Sequence, residues 1–205
     1  MEGIDGCGKT TQVDMLCETL AQRGIAFIRT REPGGTPIGD GIRSLLLNPS
    51  SDMLPLTETY LYAASRAEHV RRVILPALAR GDIVVCDRFV DASIAYQGYG
   101  LQGDSLTPGL VNDINAHAVG GVMPDLTFMI DVPVDVAQER LRQSNRLLFA
   151  GADRIERRGT AFFERVRDGL WAISRENPTR VVLLDGTMSA EALRDLIWAR
   201  ISKIS

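Results

Sequence analysis

The sequence predicts a single α/β domain, a mostly parallel sheet flanked by helices on both faces, and three observations carry that prediction. Short apolar, β-branched runs alternate with stretches whose apolar residues recur at helical spacing. Gly3-Ile4-Asp5-Gly6-Cys7-Gly8-Lys9-Thr10 reads G-x-x-x-x-G-K-T, a P-loop that cradles phosphate ahead of a helix. No repeat, low-complexity tract or linker divides residues 1–205, a length that buries one sizeable core without disulfides or metals.

Each element has its own signal. Val13, Leu16, Leu20 and Ala21 share one face of a predicted helix over residues 10–23, which stops at Gly24 and aims its N-terminus at the P-loop. Strands are predicted over 25–30, 83–86, 126–132 and 180–184, and helices over 36–47, 56–80, 106–119, 134–142, 155–177 and 190–202. Residues 142–158 break the pattern with many charges, a Gly151-Ala152-Asp153 turn and an unpatterned Leu147-Leu148-Phe149, the composition of a mobile lid.

With 23 basic and 26 acidic residues the formal charge is only −3, which argues against nucleic acid or a membrane surface as the main partner. No apolar run is long enough to span a membrane, and Met1 leads into the P-loop without a signal-peptide pattern, so the cytoplasm is the expected location. Cys7, Cys17 and Cys86 lack C-x-x-C spacing and read as reduced thiols.

The P-loop glycines let backbone N–H groups wrap a pyrophosphate, Lys9 supplies a cation, and the Thr10 hydroxyl suits Mg²⁺. Cys7, close to Lys9 and to a helix N-terminus, is expected to favour the thiolate. Asp87 ends an apolar strand, where an open parallel sheet places its ligands, and is the second candidate for Mg²⁺. Arg88 beside it needs a partner for its charge, and phosphate is a natural one.

Five blocks carry a family resemblance: Glu2-Gly3-Ile4-Asp5-Gly6, Thr30-Arg31-Glu32-Pro33-Gly34-Gly35-Thr36, Asp87-Arg88-Phe89, Ala95-Tyr96-Gln97-Gly98-Tyr99-Gly100 and Pro124-Asp125-Leu126-Thr127. In this order and spacing, over nearly the whole chain, they resemble bacterial thymidylate kinases. The resemblance implies a P-loop nucleoside monophosphate kinase with a five-stranded parallel sheet, usually a homodimer, that phosphorylates dTMP to dTDP with ATP and Mg²⁺. A kinase for another deoxynucleoside monophosphate, or an inactive P-loop nucleotide-binding paralogue, is the alternative.

It also implies roles by position. ATP would lie along Gly3, Ile4, Asp5, Gly6, Cys7, Gly8, Lys9, Thr10 and Thr11, with Arg154 over the adenine. Asp5 would accept the 3′-hydroxyl of dTMP, Glu32 would organise the acceptor environment, and Arg43 with Arg88 would bind the acceptor phosphate. Tyr62 and Arg66, four residues apart on one helix face, would provide a stacking ring and a donor for the base, joined by Ser93, Tyr96 and Gln97. No arginine stands inside the P-loop, so the transferring cations would come from the lid. Arg140 and Arg142 match the family's alternating arginines, Ser144 stands where the third would be, and Arg146 is its shifted substitute; Lys9, Arg88, Arg142 and Arg146 form the expected catalytic set.

One element is absent from the pattern. A central strand leads into Glu-Gly in the resembling family, yet only Met1 precedes Glu2 here. A vacant central slot would leave backbone groups unpaired and helix faces uncovered, so the expectation is a start lying upstream of the given one. The alternative is that the flanking strands close up, or another segment fills the gap, at a cost to P-loop placement.

Overall fold

The computed structural model describes residues 1–101, 106–144 and 151–203. β1 (Phe27–Arg31) pairs in parallel with β2 (Ile83–Asp87), and β3 (Thr127–Asp131) pairs in parallel with β4 (Val181–Asp185). Met1 and Glu2 lie between the two pairs. The Met1 ammonium donates to the Cys86 carbonyl at 2.8 Å and its carbonyl accepts from the Arg88 N–H at 3.0 Å. Glu2 donates to the Phe128 carbonyl at 2.8 Å and accepts from the Ile130 N–H at 2.9 Å. The order across the layer is therefore β1, β2, Met1–Glu2, β3, β4, and among the described residues β2 and β3 share no ladder of their own.

The helices are α1 (Lys9–Gln22), α2 (Pro37–Leu47), α3 (Pro55–His69), α4 (Leu75–Ala79), α5 (Val90–Ser93), α6 (Pro108–Val119), α7 (Val134–Gln143), α8 (Thr160–Glu176) and α9 (Ala190–Ile201). Val13, Leu16 and Leu20 of α1 and Leu193 and Ile197 of α9 bury one sheet face with Phe128 and Leu184. Val134 and Ala137 of α7 and Phe162, Val166 and Leu170 of α8 bury the other with Met129. Phe128 and Met129 enter different clusters because successive strand side chains point to opposite faces.

Three departures from the sequence pattern shape the site. A π-helical turn, Val70–Ile74, divides the single helix predicted over 56–80. The helix predicted from residue 155 begins at Thr160, because Asp153 and Glu156 close a separate turn. Asp153 Oδ1 accepts from the Ile155 and Glu156 N–H groups at 2.8 Å, and Glu156 Oε2 accepts from the Asp153 N–H at 3.0 Å, the reciprocal bonding of a capping box. The third departure is an unforeseen helical stretch, α5 continued by the π-helix Ile94–Gly100. Glycines hid it, yet Gly100 lets α8 approach closely: a Cβ there would lie 2.6 Å from the Phe162 ring. Asp91 at its start is pinned to the β4 side by Arg180, at 2.6 and 2.8 Å.

Candidate active site

The P-loop leaves the sheet at Glu2 and turns into α1 through Gly3, Gly6 and Gly8, whose φ angles of 141°, 84° and 103° favour glycine. At Gly6 an added Cβ would stand 2.3 Å from the Ala137 carbonyl oxygen, so α7 backs the loop at close range. Lys9 is buried and folds across the loop, donating to the Gly3 and Ile4 carbonyls at 3.0 and 2.9 Å. No side chain caps α1 at Gly8, and Thr10 and Thr11 are exposed on its first turn, which suits an anion accepting from the first backbone N–H groups. Cys7 is only 1% exposed, its Sγ 3.8 Å from Lys9 Nζ, and it packs within the core.

Asp87 ends β2 with Oδ1 buried and without a hydrogen-bond partner among the described residues. An orphaned carboxylate oxygen at this sheet edge fits a cation. No group of three or more metal-ligating side chains stands among the described residues. Mg²⁺ bound with a nucleotide needs few, because phosphates and water supply most of its oxygens.

Beside the P-loop opens a cavity, and nine of the expected acceptor residues line it. Asp5 comes from the P-loop, Glu32 from the end of β1, Arg43 from α2, and Tyr62 and Arg66 from α3. Arg88 follows β2, and Ser93, Tyr96 and Gln97 come from the stretch after it. Arg88 is the one non-glycine described with positive φ, 69°, a strained conformation held by its side chain. Nη1 donates to the Gly3 carbonyl at 2.9 Å, and Nη2 donates to Asp5 Oδ1 at 2.8 Å and to the Tyr96 hydroxyl at 3.0 Å. Burial works against its charge, but Tyr96, Asp5, Glu2 and Asp87 outweigh it and hold the guanidinium protonated well above its ordinary range. Burial pushes the Tyr96 phenol up. Burial and the nearby Glu58 charge do the same at Tyr62. Arg43 donates to the Pro33 carbonyl at 3.0 Å, and burial with the facing charge of Arg31 lowers its basicity, conditions that an anion would relieve.

Arg66 differs from its expected form as a freely offered donor. It is 1% exposed and donates to Glu32 Oε2 at 2.7 Å, Ser93 Oγ at 3.0 Å, the Phe89 carbonyl at 3.0 Å and Asn115 Oδ1. These four bonds leave one of the about five guanidinium N–H groups for an occupant. Glu32 Oε1 also meets His69 Nδ1 at 2.9 Å, and His69 Nε2 meets Thr30 Oγ1 at 2.6 Å. The sequence reading missed His69, although 62, 66 and 69 recur at helical spacing and could have found it. It missed the buried Glu58 of α3 as well.

The lid-side arginines separate. Arg140 reaches the Gly186 carbonyl at 3.0 Å and the P-loop carbonyl of Cys7 at 3.5 Å. Arg142 is exposed and paired with Glu139 at 2.8 Å. Arg146 lies outside the described residues, as does part of the expected 142–158 lid. Arg154, expected over adenine, is tied instead to α2 and α3, at 2.7 Å from the Leu46 carbonyl and 2.6 Å from Glu58 Oε2.

A P-loop leaving the sheet between two parallel strand pairs, a carboxylate on the neighbouring strand end and a basic cavity beside them define a P-loop nucleoside monophosphate kinase. Comparison narrows the class. The thymidylate kinase family model matches residues 1–197. A thymidylate kinase of an Exiguobacterium species is 47% identical over 196 residues, covering 95% of this chain and 89% of the relative. One from Kosmotoga olearia is 44% identical over 196 residues, covering 96% and 90%. The crystal structure of the Ehrlichia chaffeensis thymidylate kinase superposes with a TM-score of 0.72 at 35% identity, over 96% of this chain and 94% of that one. The chain belongs to the thymidylate kinase family and is a phosphotransferase.

Proposed function

We infer that this enzyme transfers the γ-phosphoryl group of ATP to dTMP, giving dTDP and ADP for dTTP synthesis. The observation that carries the reading is the convergence of Asp5, Arg43, Tyr62 and Arg88 in one cavity against the P-loop. ATP phosphates lie along Gly3 to Thr11 with Lys9 as their cation, while Arg43 and Arg88 clamp the acceptor phosphate, whose planar-fork recognition arginine suits. Tyr62 stacks on the base, Arg66, Ser93 and Gln97 contact its edge, Asp5 accepts the 3′-hydroxyl, and Tyr96 crowds the sugar. Glu32 holds Arg66 and His69 in place. Arg142 and Arg146, with Arg140 already at the loop, follow charge spreading over the group in transfer. The acceptor oxygen is already anionic, so in-line transfer requires no general base. Mg²⁺, held by the Thr10 hydroxyl and Asp87, would neutralise phosphate charge.

A coupled assay with ATP, Mg²⁺ and a panel of monophosphates tests the reading. dTMP is the best acceptor, and dUMP is weaker because a methyl in an apolar pocket contributes roughly 1 kcal/mol. Equal turnover of dCMP or dGMP overturns the substrate, and no dTMP-dependent ADP overturns the activity. The exposed apolar side chains Ile38 and Leu45 on α2 and Leu56 and Tyr60 on α3 support a homodimer, which sedimentation would test. A cytoplasmic location accords with free Cys7, Cys17 and Cys86, and no helix among the described residues is long and apolar enough to cross a membrane.

A further inference from the structure

Glu58 is 1% exposed, and three side chains from two segments distant in sequence converge on its carboxylate. Oε1 accepts from Gln97 Nε2 at 2.9 Å. Oε2 accepts from Arg154 Nη2 at 2.6 Å and from Arg158 Nη2 at 2.5 Å. Gln97 lines the cavity, and so do Asp153, Ile155 and Glu156 in the turn that carries Arg154. One side chain outside the cavity's lining thus fixes two of its walls.

A glutamine amide has a donor end and an acceptor end of nearly the same shape, so its neighbours decide which way it faces. A carboxylate only accepts. Glu58 therefore claims the donor end of Gln97 and leaves the carbonyl end as the one available to an occupant. The two arginines bind the other carboxylate oxygen through charge-assisted bonds, which keeps it from turning away from Gln97.

We propose that Glu58 is a positioning residue for base selection: by orienting the Gln97 amide it makes the cavity offer an acceptor, favouring a pyrimidine with a ring N–H over one whose ring nitrogen is itself an acceptor. This rests on the cavity being the acceptor-nucleotide site. Glu58→Gln removes the constraint, since an amide at position 58 can meet either end of Gln97 and the preference for one orientation is lost. Combining Glu58→Gln with Gln97→Glu restores it. The amide at position 58 then donates to the carboxylate at position 97, which has only acceptors to offer the cavity, and the local charge is conserved.

Dissociation constants for dTMP and dCMP, measured by calorimetry on the wild type, Glu58→Gln and the double variant, test this, with thermal melts to verify folding. The wild type prefers dTMP, Glu58→Gln loses roughly tenfold or more of that preference, the scale of a hydrogen bond to a charged group, and the double variant regains it. A folded Glu58→Gln variant with the wild-type preference overturns the proposal. So does a double variant that prefers dTMP no more than Glu58→Gln does, or one without preference should the single variant fail to fold. A wild type that prefers dTMP in binding yet consumes no ATP with it refutes the kinase reading alone.

Discussion

Glu2→Gln is expected to remove ~2.5 kcal/mol of pH dependence from the protein's stability between about pH 5 and about pH 8. Glu2 is buried beside the P-loop, with Oε1 accepting from the Phe89 N–H at 2.7 Å and the Ala92 N–H at 3.2 Å. Its Oε2 has no hydrogen-bond partner among the described residues. Burial pushes the carboxyl from 4.5 to about 7, against the pull of the N-terminal ammonium and Arg88 and with the push of Asp91. A raised folded-state value means that the group favours folding below its unfolded value and that this advantage is lost as pH rises through about 7. The full loss is ~3 kcal/mol, most of it inside the window named above. Glutamine keeps an acceptor for the same two N–H groups and has no proton to titrate. Burial pushes Asp131 up, but the hydrogen bonds of Arg167 and Trp171 and the Arg167 charge together hold it below its ordinary range, so it contributes with the opposite sign but equally in both proteins. Urea unfolding of wild type and variant across this range reads the difference directly. It should shift toward the variant as pH rises; a difference that stays flat would refute the reasoning.

Lys9→Ala and Arg88→Ala should each lower kcat/KM by about 10²–10³ in folded protein, since each places a cation on phosphate that no neighbour replaces; near-wild-type turnover in either would remove it from the catalytic set. Arg142→Ala and Arg146→Ala should reduce kcat more than they raise the KM for ATP, because both act on charge that develops during transfer. Wild-type kcat in both would shift that role to Arg140, which already touches the Cys7 carbonyl. Gly6→Ala should destabilise the fold by more than ~1 kcal/mol and weaken ATP binding, as its Cβ meets a backbone oxygen at 2.3 Å and its φ is 84°. Unchanged melting and ATP affinity would show that α7 yields at this contact.

Local chemistry made much of this protein legible in its sequence. The P-loop spacing, the apolar face of α1, the four strand runs and the Asp87–Arg88 strand end depend on residues close together in the chain, where periodicity and motif spacing operate. Resemblance added the acceptor residues, and nine of them do line one cavity. Tertiary structure decided what long-range packing alone can specify. Met1 and Glu2 became the seam between two strand pairs through backbone bonds to both. Arg66, one helical turn from Tyr62, read as a donor for the base, yet Glu32, Ser93, Asn115 and the Phe89 carbonyl claim most of its N–H groups. Glu58 carried no local signal at all. Its importance arises because a buried carboxylate must find donors, and the fold brings Gln97, Arg154 and Arg158 to it from positions 39 to 100 residues away, a separation over which sequence pattern holds no information about contact.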